Sequence, residues 1–205
     1  MRDRLIDERL RQALSLEAFL ALWAAKLAMP LKGLDKDQRK YVFYSRYNWE
    51  RQQRTIAAYR MSDSLARAVD AIEERQDWVL ITEDWCVDSA YALPVIQASV
   101  ARNPLLSLHI LPRDANLDVM DRYLTNGARS IPRLVVFGEA GRECFIWGPA
   151  PDALIEARNG WKAAGVPGPE ISQRKVDWYE ARGWDAIDAA LASAIATSAC
   201  VQETL

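Results

Sequence analysis

The feature that most constrains this chain is a change of rhythm at Trp78. Ahead of it, apolar residues recur every three or four positions. Beyond it, short apolar runs at 78–82, 105–111, 134–137 and 143–147 alternate with helical stretches at 88–100 and 117–124. Runs so short and so dense in aliphatic and aromatic residues read as strands, and their alternation with helices predicts an α/β domain. Gly138-Glu139-Ala140-Gly141 joins the last two strands as a hairpin loop, and Asn126-Gly127 reads as the C-cap of the helix over 117–124. Two further helices, over 152–164 and 177–196, flank a Gly/Pro-rich loop at 165–169.

The first third is helical. Ile6, Leu10, Ala13, Leu16, Leu20, Trp23 and Leu27 form one apolar stripe, which predicts a single helix ended by Met29-Pro30 and Gly33. A second helix covers 36–59 and carries Tyr41, Phe43, Tyr44, Tyr47 and Trp49 among basic residues. Its aromatics are expected to pack on the rest of the molecule; the other reading is a partner-binding face. A third helix, capped by Ser62 or Asp63, points Leu65, Val69 and Ile72 inward. Glu17 and Lys26 interrupt the apolar stretch 13–31, and Asp3, Asp7 and Glu8 precede it. That stretch is therefore read as an amphipathic helix and neither as a signal segment nor as a membrane span.

With 28 acidic against 26 basic residues, the net charge of −2 gives no electrostatic ground for a nucleic-acid partner. Three widely spaced cysteines argue against a disulfide framework and for a cytoplasmic setting.

Chemistry concentrates at Glu83-Asp84-Trp85-Cys86-Val87-Asp88-Ser89. Cys86 follows a strand and precedes a helix, where exposed N–H groups and the helix dipole favour a thiolate. Arg113, Arg129 and Arg133 favour it too if the fold brings them close, whereas Glu83, Asp84 and Asp88 oppose it. Arg113, Asp114 and Asp121 read equally as the rim of a cleft or as a surface ion-pair cluster. Cys144 is expected as a small buried residue of the last strand and Cys200 as a free thiol near the end. His109, the only histidine, is read as a strand residue without a ligand cluster.

Trp85-Cys86, Pro94 eight residues later, Ile131-Pro132 ahead of a strand and Gly148 at the end of the last strand together resemble the thioredoxin superfamily. Longer strings, among them Thr82-Glu83-Asp84-Trp85-Cys86, Leu111-Pro112-Arg113-Asp114-Ala115-Asn116-Leu117 and Trp147-Gly148-Pro149, resemble a bacterial thioredoxin-like branch. That branch has an N-terminal helical extension and a monothiol W-C-x-D motif. The resemblance implies a thioredoxin-like fold, with a mixed central sheet and helices on both faces. It divides the chain into a helical extension, 1–61, and the thioredoxin-like domain, 62–205. It also implies a cis Ile131–Pro132 bond whose loop faces the thiol and presents backbone to an extended substrate. Two departures stand out: Ser89 occupies the place of the resolving cysteine, and Leu80 that of a buried carboxylate. An intramolecular dithiol cycle at this C-x-x-S motif is chemically excluded.

Two functions follow as expectations. In the first, Cys86 performs thiol–disulfide exchange on protein or low-molecular-weight disulfides, and an external thiol resolves the intermediate. Ser89 supports the thiolate by a hydrogen bond, glutathione serves as a co-substrate, and Trp85, Ile131, Pro132, Arg113 and Asp114 line the substrate site. In the second, the same cleft is a non-catalytic binding module for a peptide or protein. Neither needs a metal or a resident cofactor, and neither involves a membrane; a homodimer through the aromatic helix is a further expectation.

Overall fold

The change of rhythm falls where the sheet begins. In the computed structural model, which describes residues 2–198 and Cys200, four helices come first: α1 (Arg4–Gln12), α2 (Leu16–Leu27), α3 (Lys36–Ala58) and α4 (Asp63–Asp70). Then follow β1 (Gln76–Thr82), α5 (Val87–Arg102), β2 (Leu106–Pro112), α6 (Leu117–Met120), β3 (Arg133–Phe137) and β4 (Glu143–Trp147). Helices α7 (Asp152–Ala163), α8 (Gly168–Trp178) and α9 (Trp184–Ala196) complete the order. The strands lie side by side as β2-β1-β3-β4, with β1 and β2 parallel and the remaining pairs antiparallel. This is the mixed sheet that the apolar runs predict.

Strand β1 is buried on both faces, because successive side chains point to opposite sides of a sheet that helices cover twice. Trp78 and Leu80 enter one core with Leu65 and Val69 of α4, Tyr91 and Ile96 of α5, and Ile187 and Leu191 of α9. Val79 and Ile81 enter the other, with Ile6 of α1, Val119 and Met120 of α6, and Cys86. Each fully buried aliphatic side chain contributes about 1.5–3 kcal/mol, so β1 anchors the residues that follow it.

Four elements differ from the sequence reading. The single N-terminal stripe is two helices. Ser15 caps α2 by accepting from the Ala18 N–H at 3.1 Å, and Leu14 exchanges two backbone hydrogen bonds of 2.9 Å with Ile110 on β2. The stripe thereby passes around the sheet edge: Ile6 and Leu10 pack on one face, Phe19 and Trp23 on the other. The helix predicted over 117–124 stops at Met120. Asn126 and Gly127, both with positive φ, make a two-residue turn between Thr125 and Ala128, which is a hairpin-type use of Asn-Gly. The loop at 165–169 gives way to α8, which begins at Gly168 and has Pro169 in its first turn. The last predicted helix, 177–196, is split by a kink at Ala181 and Arg182.

A fifth difference is covalent. Cys144 and Cys200 form a disulfide with a Cα separation of 5.2 Å, where both had been expected unpaired. Their separation of 56 residues hides a proximity created by the packing of α9 against β4. Glu74 lies beside the bridge, its carboxylate and the two sulfurs within 4.8 Å of one another, but both sulfurs are committed to the bond. Among the described residues, no helix is long and apolar enough to cross a membrane.

Candidate functional site

Cys86 is the N-cap residue of α5, held in extended conformation by the turn that closes Cys86 N–H onto the Glu83 carbonyl at 3.2 Å. Its sulfur donates to the Ile131 carbonyl oxygen at 3.3 Å. The Ile131–Pro132 peptide bond is cis, and Ile131 and Pro132 are buried at the start of β3. Gly148, at φ +104°, follows β4 directly; a Cβ there would collide with the Pro132 carbonyl oxygen, so only glycine lets the two backbones approach.

Only 8% of Cys86 is exposed. Burial pushes its thiol up from the ordinary value and the Asp88 carboxylate adds to the rise; the Ser89 hydroxyl and N–H and the Lys175 ammonium oppose it without prevailing. The Ser89 hydroxyl is buried and has no partner of full hydrogen-bond geometry. The three carboxylates near the thiol have separate occupations. Asp88, in the first turn of α5, accepts from Lys175 Nζ at 2.7 Å and from the Tyr179 hydroxyl at 3.0 Å. Glu83 accepts the Asp114 N–H at 2.9 Å, and burial pushes its carboxyl up to about 6. Asp84 turns toward the N-terminal helices, where Lys26 Nζ reaches its two oxygens at 2.7 and 2.9 Å and Ser45 Oγ donates at 2.6 Å. The Asp84 carbonyl also accepts from Asn48 Nδ2 at 3.1 Å.

Trp85 stands at the rim. Its ring centroid is 4.7 Å from the Arg113 guanidinium and 5.2 Å from the centroid of the Tyr41 ring. Arg113 is tied to Asp114, and Arg129 makes a two-pronged pair with Asp121. Arg133 points away, donating to the Gly148 carbonyl. Above the thiol opens a groove of about 870 Å³. Trp85, Cys86, Arg113 and Ile131 line it together with the aromatic side of α3 and parts of α7 and α8.

Of the five aromatics of α3, only Trp49 packs inward as expected, edge-on to Trp23 with ring centroids 5.4 Å apart; the other four do not. Tyr41, Phe43, Tyr44 and Tyr47 are 40–50% exposed, while Val42, Ser45, Asn48, Gln52 and Thr55 face the domain. The inner face is polar because it serves the Cys86 loop through Ser45 and Asn48. Of the residues singled out in the sequence, Trp85, Cys86, Ile131 and Arg113 meet at the groove; Ser89 and Pro132 lie buried behind it, and Asp114 is exposed beside Arg113. Lys26, Ser45, Asn48, Lys175 and Tyr179 went unseen. They reach the site across 36 to 91 residues of sequence and carry no local motif.

Known proteins place these features in context. A thioredoxin family model matches residues 35–162, from the cap of α3 into α7. No curated protein matches the chain. Among solved structures, a protein of unknown function from Pseudomonas aeruginosa is similar over 100% of both chains, at 15% identity and a TM-score of 0.57. An HIV epitope-scaffold is similar over 97% of this chain and 98% of its own, at 16% identity and a TM-score of 0.59. At such identities the likeness is one of fold.

Proposed function

The chain belongs to the thioredoxin family, and from that premise we propose that it is a binding module, which holds an extended peptide or protein segment in the groove over Cys86. Its fold is of the thiol-redox type, but the state of the thiol favours holding over exchange. The observation that carries this reading is Cys86 itself: buried, bonded to the Ile131 carbonyl, and pushed toward the protonated form. A neutral thiol is a poor nucleophile. With Ser89 three residues on, no neighbouring thiol can resolve an intermediate. The groove around it, by contrast, exposes aromatic rings that a partner would cover. In this reading residues 1–61 are a helical extension of the 62–205 domain, and α3 supplies one wall of the groove.

Monothiol exchange is the second reading. It is favoured by the free thiol of Cys86, the only one among the described residues, at the first turn of α5 with Lys175 close enough to oppose the rise of its pKa. There, the Cys86 thiolate would attack a substrate disulfide, and the displaced sulfur would leave as a thiol after taking up a proton. A second thiol such as glutathione would then break the mixed disulfide and regenerate Cys86.

Selection from a random displayed peptide library separates the two. Under the binding reading, peptides are enriched, bind Cys86→Ser as well as wild type, and lose affinity with Trp85→Ala. Absence of enrichment, or capture that needs the Cys86 sulfur and is released by reductant, would overturn it.

A further inference from the structure

The groove's charge does not follow the chain's. Over the whole sequence acidic residues outnumber basic ones, 28 to 26. Yet Lys40, Arg51, Arg113, Arg129, Arg158 and Lys175 line the groove against the single carboxylate of Asp88. Half of those cations are already neutralised: Lys175 by Asp88, Arg113 by Asp114 and Arg129 by Asp121. The other three, Lys40, Arg51 and Arg158, make no ion pair among the described residues.

Each of the three is presented in a way that suits an anion. On α3, Lys40 Nζ lies 5.8 Å from the Tyr44 ring centroid and the Arg51 guanidinium 5.7 Å from that of Tyr47, so cations and rings share one exposed face. Arg51 also donates to Asn48 Oδ1 at 2.9 Å, and the nearby Glu180 is itself paired with Arg54. Arg158 reaches the groove from α7, and its Nε is buried with no hydrogen-bond acceptor. A buried guanidinium N–H without an acceptor is costly, and a carboxylate is the acceptor that its planar fork fits best.

We propose that the occupant of the groove is an acidic peptide segment, its carboxylates set against Lys40, Arg51 and Arg158 and its apolar side chains against Tyr41, Tyr44 and Trp85. This rests on the binding-module reading and gives its partner a chemistry. A peptide suits the charge pattern better than a nucleic acid: the net charge of −2 repels a polyanion at long range, while three local cations match a segment of a few carboxylates.

The test is titration calorimetry with three acetylated peptides of equal length, in which Phe alternates with Glu, Gln or Lys, and with a single-stranded oligonucleotide. The Glu peptide should bind about tenfold or more tightly than the Gln peptide, and rising salt should narrow the gap. Arg158→Gln should weaken the Glu peptide about three- to tenfold and leave the Gln peptide unchanged. The double variant Lys40→Gln/Arg51→Gln, at one exposed and one half-buried position, should act in the same direction, which covers the case in which Arg158→Gln fails to fold. If Glu and Gln peptides bind equally and both are lost with Trp85→Ala, the acidic preference is overturned while the groove reading stands. Tighter binding of the oligonucleotide than of the Glu peptide also overturns it. If no peptide binds, both fall.

Discussion

Replacing Asp84 by alanine probes how the N-terminal helices act on the Cys86 loop. Asp84 has a side-chain exposure of 13% and its partner Lys26 one of 26%, so this is a largely buried pair, closed by Ser45 as a third member. The substitution removes one ammonium–carboxylate and one hydroxyl–carboxylate interaction, each of the charge-assisted kind that contributes about 1.5–3 kcal/mol. Lys26 retains enough exposure to turn its ammonium toward water, which offsets part of the loss. A net destabilisation of about 2–4 kcal/mol is expected for Asp84→Ala. Lys26→Met should cost a similar amount, because it leaves the carboxylate with Ser45 as its side-chain partner. The double variant should then cost less than the sum of the two by about 1.5–3 kcal/mol. Equilibrium urea unfolding at neutral pH measures all three, and the slope of each transition shows whether two-state behaviour is kept. Because Asp84 lies two residues before Cys86, Asp84→Ala should also speed alkylation of the thiol. Costs that add within about 0.5 kcal/mol, with unchanged alkylation, would refute the view that this network holds the loop.

Reducing the Cys144–Cys200 bridge, or replacing Cys144 by serine, releases a constraint across 56 residues. In the chain-entropy picture this lowers stability by about 4 kcal/mol; a loss below about 1 kcal/mol in urea unfolding would contradict a stabilising role. Glu83 titrates at about 6 in the folded chain against 4.5 ordinarily. The native state therefore binds more protons than the unfolded one in that window, and the stability this carboxyl confers is present below pH 4.5 and lost as the pH rises through about 6. Glu83→Gln should abolish that fall, which is on the order of 1–2 kcal/mol, as read from urea midpoints across the window. Parallel curves for variant and wild type would show that Glu83 does not carry it.

Much of the fold was legible because strand burial and helix capping are local. The run from Trp78 to Ile81 could hardly be other than a central strand, and Ser62 caps α4 by accepting the N–H of Leu65 three positions on. Periodicity misled where tertiary partners intervene. The stripe from Ile6 to Leu27 keeps its spacing through Leu14, but the free edge of β2 captures Leu14 as an extended residue. Asn126-Gly127 has the same composition as a helix cap and as a tight turn, and the short α6 decided between them. At the site, Cys86, Trp85 and Ile131 were visible as motif. The network that governs them was not: Lys26, Ser45, Lys175 and Tyr179 are ordinary helical residues until packing brings them to Asp84 and Asp88. The aromatic face of α3 was misjudged for the same reason, since hydrophobicity alone does not reveal that the polar side of that helix is the one with buried partners.

The state of the Cys86 thiol bears most directly on the whole account. With Cys144 and Cys200 joined in the disulfide, Cys86 is the free thiol among the described residues, so the unreduced wild-type protein can be used as it is. The measurement is the rate of its alkylation by iodoacetamide as a function of pH. A buried, protonated thiol should label slowly, with an apparent pKa above about 8.5, the unperturbed value, and the rate should rise once urea opens the fold. Rapid labelling with an apparent pKa well below that value would mean a standing thiolate, and would move the protein from holding a partner to exchanging disulfides with it.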